Sequence, residues 1–303
     1  MKDLRNIILL GAGAIGILIA EKLCRMTEIN FAAAADTSRV KRYRQDGIFF
    51  NGEKLPLNFI APEDDFPAAD LVIIATKTTT LPDALNICRN FVNDDTIFLP
   101  FLNGITAKEV ISSYFPCNHA VEGFFIGHAS VRNGNCITHD GCGTFCCGGE
   151  KTPLEMIRKL FNRAKINIDL PPDIQHAIWK KFILNIGINQ TQAAFDADYG
   201  EVQRSAKLME FCRELMVEAI AVAEAENIAD TGKMLDPALE IISSMPPEVK
   251  TSMLQDIQAK RKTEIDAFSG TLCAKARLHG INVPRNQEVY NIIREKEKQY
   301  DSI

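Results

Sequence analysis

No apolar run in this 303-residue chain approaches the ~18 residues that a membrane-spanning helix needs, so no membrane partner is expected. The opening residues read as a strand without a signal-peptide cleavage pattern, which makes the cytoplasm the default location. Positive charge is also scarce: 34 Lys and Arg stand against 39 Asp and Glu, a net charge of −5. The basic stripe that a phosphate backbone demands is missing, which argues against a nucleic-acid partner. Paired C-x-x-C units are absent. Cys136, Cys142, Cys146 and Cys147 fall among Gly141, Gly143, Gly148 and Gly149, but the spacing does not match a zinc site, and Thr144 to Cys147 reads as a buried strand. The nine cysteines, odd in number and scattered, suit free thiols in a reducing compartment, and no metal is expected. Internal repeats and low-complexity segments are absent as well.

What the chain has is enough apolar material, 46%, to fill two cores, and one informative opening. An apolar strand, Asn6 to Leu10, runs into Gly11-Ala12-Gly13-Ala14-Ile15-Gly16 and then into an apolar-periodic helix, Ile17 to Cys24. Strand, G-x-G-x-x-G, helix is the order in which this motif binds a dinucleotide. Gly11 permits the tight turn, Gly13 lets the backbone approach a pyrophosphate, and Gly16 lets helix and strand pack closely. The pyrophosphate would rest on the free N–H groups of the helix N-terminus. A second strand follows over Ile29 to Ala35, and Asp36 lies 20 residues beyond Gly16, where an acidic residue accepts the ribose hydroxyls of NAD. Arg39, Lys41, Arg42 and Arg44 come next; they would hold a 2′-phosphate or form the solvated face of a short helix, Arg39 to Gln45.

Gly47 to Leu57 reads as a hairpin turning at Asn51-Gly52. Asp70 to Thr76 and Asp95 to Phe101 read as parallel strands covered on both faces. Lys77 and Asn103 stand at the carboxyl ends of these strands, where open α/β sheets bind ligands, and Gly104 allows an unusual turn. Short strands over Ala120 to Val131, Cys136 to Asp140 and Gly143 to Cys147 are expected to extend the sheet. The fold class is therefore α/β: a doubly wound, Rossmann-type domain over residues 1–170, then an all-helical domain over 171–303, divided at Pro171-Pro172. In the second half, Lys181, Asn185 and Asn189 recur at i, i+4 and i+8 on an otherwise apolar helix. Polar groups in such surroundings need partners, and a ligand cleft between the domains is the economical choice. Later, Ser252 with Gln255 reads as a capping box, and Glu264 follows in Lys262-Thr263-Glu264-Ile265-Asp266.

Taken together, these segments resemble the ketopantoate reductase (2-dehydropantoate 2-reductase) family over nearly the full chain. The likeness lies in the glycine motif, Thr76-Lys77, Asn103-Gly104, Trp179-Lys180-Lys181 with Asn185 and Asn189, Ser252-Met253-Leu254-Gln255-Asp256, Lys262 to Asp266, and His279-Gly280-Ile281-Asn282-Val283-Pro284. The resemblance implies reduction of a 2-oxo acid, ketopantoate to pantoate on the route to pantothenate, by NADPH. In it Lys181 would be the general acid, and Glu264 would orient that lysine, keeping it protonated, or bind a ribose hydroxyl. Asn185, Asn189 and Ser252 would position substrate, with Asn103 and Lys77 near the cofactor. Arginine is common in the family where Asp36 stands, so NAD remains open beside NADP. Proline often follows the position of Asn189, where this chain has Gln190, and Tyr199 falls near the place of a further substrate-binding asparagine. Reduction of another branched 2-oxo acid and a non-catalytic dinucleotide sensor are the alternative readings. Helical second domains of this kind often pair, which leaves a homodimer open.

Overall fold

A computed structural model describes residues 3–127, 131–139 and 142–300. The chain divides into two compact units, Met1–Ile174 and Gln175–Ile303. Unit 1 is built on six parallel strands in the order Phe59–Ile60, β2 (Asn30–Ala34), β1 (Asn6–Leu10), Leu71–Ile74, Ile97–Pro100, His119–Ala120. β1 is central, pairing Ile7 with Phe31 on one side and with Leu71 on the other. Its residues alternate between two cores. Ile7 and Leu9 face a layer containing Ile17 and Ala20 of α1 (Ala14–Leu23), Val40 of α2 (Thr37–Asp46) and Ile157 of α5 (Lys151–Arg163). Ile8 and Leu10 face Leu81 and Leu85 of α3 (Leu81–Cys88) and Ile111 of α4 (Ala107–Tyr114). Cover on both faces explains the unbroken apolar runs of β1 and Leu71–Ile74. The Asp70 carboxylate accepts from the Arg5 and Asn6 backbone N–H groups, both at 2.9 Å, and so aligns the starts of these neighbouring strands.

The hairpin forms as expected, with Asn51 and Gly52 at φ 49° and 86° between Phe49–Phe50 and Glu53–Lys54. The later short strands depart from expectation. Among the described residues of these later strands, only His119–Ala120 joins the main sheet. Glu122–Gly127 leaves it and pairs antiparallel with Gly143–Gly148, which also takes Ile168–Asp169 in parallel, making a separate three-stranded sheet. Val131–Asn133 and Cys136–Thr138 join the hairpin strands in a four-stranded sheet. The physical reason is at Gly123: a Cβ there would lie 2.9 Å from the Phe101 ring and 3.0 Å from the Pro100 carbonyl, so the chain crosses tightly over the sheet edge instead of continuing it. Residues 128–130 and 140, within two of the expected strands, lie outside the described residues.

Unit 2 is helical: α6 (Ile174–Phe195), α7 (Tyr199–Arg204), α8 (Ala206–Ala225), α9 (Leu235–Ser244), α10 (Ser252–Gln258), α11 (Thr271–Leu278) and α12 (Pro284–Lys298), with a π-helical turn over Asp266–Gly270. α6 runs through its centre, buried without interruption from Ile186 to Ala194. A Cβ on Gly187 would stand 2.2 Å from the Met216 Cε, so the glycine sets how closely α8 crosses α6. Tyr199 is a core residue capped by Asp198, not a polar site residue, and burial pushes its hydroxyl pKa up to about 12. No helix among the described residues is long and apolar enough to cross a membrane.

Candidate active site

The glycine loop shows a different constraint at each glycine. Gly11 has φ 100°, and a Cβ there would sit 2.6 Å from the Ala75 carbonyl. At Gly16 the added carbon would lie 2.0 Å from the Gly11 carbonyl oxygen. Gly13 is free of both demands: its φ is −83°, and the nearest chain atom to an added Cβ is 3.7 Å away. The chain's own packing does not require glycine at 13, so the space there suits an outside group that needs close approach to the backbone. Gly13 caps α1; Ile17 N–H donates to its carbonyl, leaving the N–H groups of Ala14, Ile15 and Gly16 without an intrahelical acceptor. No acidic residue occupies the first turn to quench the positive end of the helix.

Beside this loop a cavity of about 350 Å³ opens at the carboxyl ends of β1 and β2, lined by Gly11, Ala12, Asp36, Tyr43, Thr76 and Asp83 among others. The Thr76 Oγ1 is buried there with no hydrogen-bond partner among the described residues. An open cradle over Gly13, unsatisfied helix N–H groups and an orphaned hydroxyl on the cavity wall together fit a dinucleotide. Asp36 serves as the N-cap of α2, which begins at Thr37 and not at Arg39 as expected, because the carboxylate accepts from the Arg39 backbone N–H at 2.9 Å. The Ser38 hydroxyl also donates to it and holds its pKa below the usual carboxylate value. Lys77 caps the 3-10 turn Thr78–Thr80, and the Thr78 hydroxyl donates to the Asn103 carbonyl at 3.0 Å. The loops after strands Leu71–Ile74 and Ile97–Pro100 are thereby joined, which brings Lys77 and Asn103 to one end of the sheet beside Gly104, whose φ is 90°.

In unit 2 two segments meet on α6. Phe268 of the π-helical turn stacks on Phe182 with ring centroids 6.1 Å apart, and the Ser269 backbone N–H donates to the Gln190 Oε1 at 3.1 Å. The Thr251 backbone N–H donates to the Gln192 Oε1 at 2.8 Å. These contacts bring the π-turn, two residues after Glu264, which is 9% exposed, and the start of α10, with Ser252, onto the helix that carries Lys181, Asn185 and Asn189. Asn189 is buried, whereas Lys181 and Asn185 are partly exposed. Ser252 is the first residue of α10, not its cap: Thr251 is extended and its hydroxyl accepts from Leu254 N–H, while the Gln255 amide donates to the Lys250 carbonyl. Gln190 is fully buried and ties α6 to the π-turn.

Three organising residues escaped sequence reasoning: Gln190, Gln192 and Glu297. Glu297 of α12 is 5% exposed, and its Oε1 accepts from both the backbone N–H and the hydroxyl of Thr263 at 2.7 Å, fixing the residue before Glu264. Among the described residues no group of three His, Cys, Asp or Glu could hold a metal ion, and none of the nine cysteines forms a disulfide.

A doubly wound parallel unit with a glycine loop at its first helix, followed by a helical unit, is the plan of a Rossmann-type nicotinamide-dinucleotide oxidoreductase. The chain belongs to the ketopantoate reductase PanE/ApbA family, whose model matches residues 7–149, with the model of its C-terminal part matching residues 173–297. The 2-dehydropantoate 2-reductase of Shigella flexneri is 28% identical over 308 residues, covering 98% of this chain and 97% of that protein. Dimeric ketopantoate reductase from Staphylococcus aureus shares the fold with a TM-score of 0.84 at 22% identity, covering 97% of this chain and 99% of that one. D-mandelate dehydrogenase, solved with NADH and anilino(oxo)acetate, shares it with a TM-score of 0.87 at 20% identity, over 98% and 99% of the two chains. At these identities the two structural likenesses establish the fold.

Proposed function

We propose that this protein reduces 2-dehydropantoate (ketopantoate) to pantoate, a step of pantothenate biosynthesis, using a reduced nicotinamide dinucleotide. The Rossmann domain, residues 1–170, would hold the dinucleotide on the loop Gly11 to Gly16, with Asp36, Arg39, Lys77 and Asn103 around it. The helical domain, residues 171–303, would supply the acid and the substrate-binding groups. When bound, the nicotinamide supplies hydride to the carbonyl carbon of the 2-oxo acid. The Lys181 ammonium attracts the substrate carboxylate, stabilises the developing alkoxide and delivers the proton to the carbonyl oxygen, so that a hydroxyl is formed. Glu264 orients Lys181 or receives a ribose hydroxyl. Asn185, Asn189 and Ser252 hold the substrate in register. The observation that carries this reading is the gathering of the Lys181 helix, the segment of the buried Glu264 and the start of α10, with Ser252, on one helical core through Gln190 and Gln192. The full-length likeness to the Shigella reductase supports the substrate. A cytoplasmic setting and a homodimer accompany this reading, the latter supported by the dimeric relative from Staphylococcus aureus.

A second substrate reading is favoured by the likeness to D-mandelate dehydrogenase: a bulkier 2-oxo acid handled by the same chemistry. A non-catalytic dinucleotide sensor would need neither Lys181 nor Glu264. The test is loss of dihydronicotinamide absorbance with ketopantoate and with a panel of branched and aromatic 2-oxo acids. Fastest turnover with ketopantoate is expected. Faster turnover of another acid moves the substrate, and no turnover of any acid while cofactor is bound leaves the sensor.

A further inference from the structure

We infer that the adenosine end of the unit 1 cavity selects NADH over NADPH, and that Asp36, aided by Asp83, is the determinant. The inference rests on the dinucleotide reading above. Asp36 follows β2 directly and lines the same cavity as Gly11 and Ala12, at the end of the sheet where the adenosine ribose belongs. Its carboxylate accepts hydrogen bonds and so suits a ribose hydroxyl, which donates one. A 2′-phosphate has no proton to offer and brings about two negative charges against that carboxylate.

The basic cluster of α2 does not reverse this sign, because each of its guanidinium groups already has a partner within the protein. Arg39 Nε lies 3.3 Å from the Asp36 Oδ2, so the one cation among the described residues lining the cavity is already paired with the carboxylate. The Arg42 guanidinium lies 5.4 Å from the Tyr43 ring centroid. Arg44 donates through Nη2 to the Phe59 carbonyl at 2.7 Å and to the Asp64 carboxylate at 2.6 Å. Lys41 is exposed and is not among the residues that line the cavity. Asp83, in the first turn of α3, adds a second carboxylate to the wall. Among the described residues that line the cavity, two carboxylates stand against one paired guanidinium, a balance that disfavours an added phosphate. Were Arg39 to swing onto a 2′-phosphate, the Asp36 charge would be left uncovered beside it. The Ser38 hydroxyl donates to Asp36 and holds its pKa below the ordinary carboxylate value. Tyr43 and Phe59, ring centroids 5.1 Å apart, supply an aromatic wall that serves either dinucleotide equally and so carries none of the discrimination.

The experiment is a direct titration of the full-length protein with NADH and with NADPH, followed by dihydronicotinamide fluorescence and independent of any 2-oxo acid. Wild type is expected to bind NADH at least ~10-fold more tightly at moderate salt. Asp36→Asn keeps a side chain that caps α2 and removes the charge. It should narrow the NADH:NADPH ratio by about 10-fold, mainly by gain of NADPH affinity, and Asp83→Asn should narrow it by roughly 2-fold. Tighter binding of NADPH by wild type, or an unchanged ratio in Asp36→Asn, overturns the inference. Binding of neither dinucleotide overturns it together with the dinucleotide reading. A clear NADH preference in a protein that turns over no 2-oxo acid supports the inference while overturning the proposed reaction.

Discussion

Gly13→Ala should separate folding from dinucleotide binding, and its neighbours Gly11 and Gly16 provide the controls. The φ of Gly13, −83°, is open to alanine, and the nearest chain atom to the new Cβ is 3.7 Å away, an ordinary contact. Reduced freedom of the unfolded chain favours the variant by about 0.4–1 kcal/mol. Alanine is a poorer helix cap than glycine by a similar amount, ~1 kcal/mol. The two effects offset, so stability should stay within about 1 kcal/mol and the Tm within roughly 2–4 °C of wild type. Gly16→Ala drives a Cβ to 2.0 Å from the Gly11 carbonyl oxygen, backbone against backbone, and should cost on the order of 3 kcal/mol or more. Affinity should behave oppositely at residue 13. A methyl group standing where a pyrophosphate approaches should weaken NADH binding by about 100-fold, on the order of 3 kcal/mol. Thermal melts paired with fluorescence titration measure both quantities. A Gly13→Ala protein that binds NADH normally, or one that melts like Gly16→Ala, would refute the argument that this glycine serves a ligand.

Two further substitutions probe unit 2. Glu297→Ala strands the Thr263 backbone N–H and hydroxyl without their buried acceptor and should cost about 2–4 kcal/mol by chemical denaturation, whereas Glu297→Gln, which keeps an acceptor, should cost less than half of that. Equal losses would mean that charge, not the hydrogen bonds, matters there. Burial alone would raise the Glu226 pKa, but hydrogen bonds from Lys275 and His279 hold it below the ordinary carboxylate value. A carboxylate depressed on folding stabilises above its unfolded pKa and loses that contribution as pH falls through its folded value. Glu226→Gln should therefore cost ~1 kcal/mol at pH 7 and progressively less as the pH falls below the ordinary carboxylate range, read from urea midpoints across pH. A cost that does not shrink with acid would contradict the linkage.

The parts of this structure legible in the sequence are those encoded within a few residues of one another. β1, the glycine loop and α1 form one continuous signal, and Asn51-Gly52 specifies its own turn. Lys77 and Asn103 could be placed because strand ends in a parallel sheet face the same way. Partner choice was not legible: the strand after Ala120 offers the same alternation whether it extends the main sheet or, as observed, pairs with Gly143–Gly148. Gln190, Gln192 and Glu297 were invisible for a related reason. Each looks like an ordinary helix polar residue until its acceptor meets a backbone N–H at Ser269, Thr251 or Thr263, 79, 59 and 34 residues away. Thr251 and Ser252 are equally good caps by type, and only the extended backbone at Thr251 decides between them. The basic cluster after Asp36 carried two readings in sequence because the Arg44 partners, the Phe59 carbonyl and Asp64, lie 15 and 20 residues away and become neighbours only on folding.

The central claim is that Lys181 delivers the proton in reduction of a 2-oxo acid, and Lys181→Ala tests it most directly. Turnover of ketopantoate should be measured by loss of dihydronicotinamide absorbance beside the Kd for NADH. A fall in kcat of ~100-fold or more is expected, with the dinucleotide Kd unchanged within about 3-fold. Turnover within about 3-fold of wild type would contradict it, because an acid that can be removed at no cost to the proton transfer is not the acid.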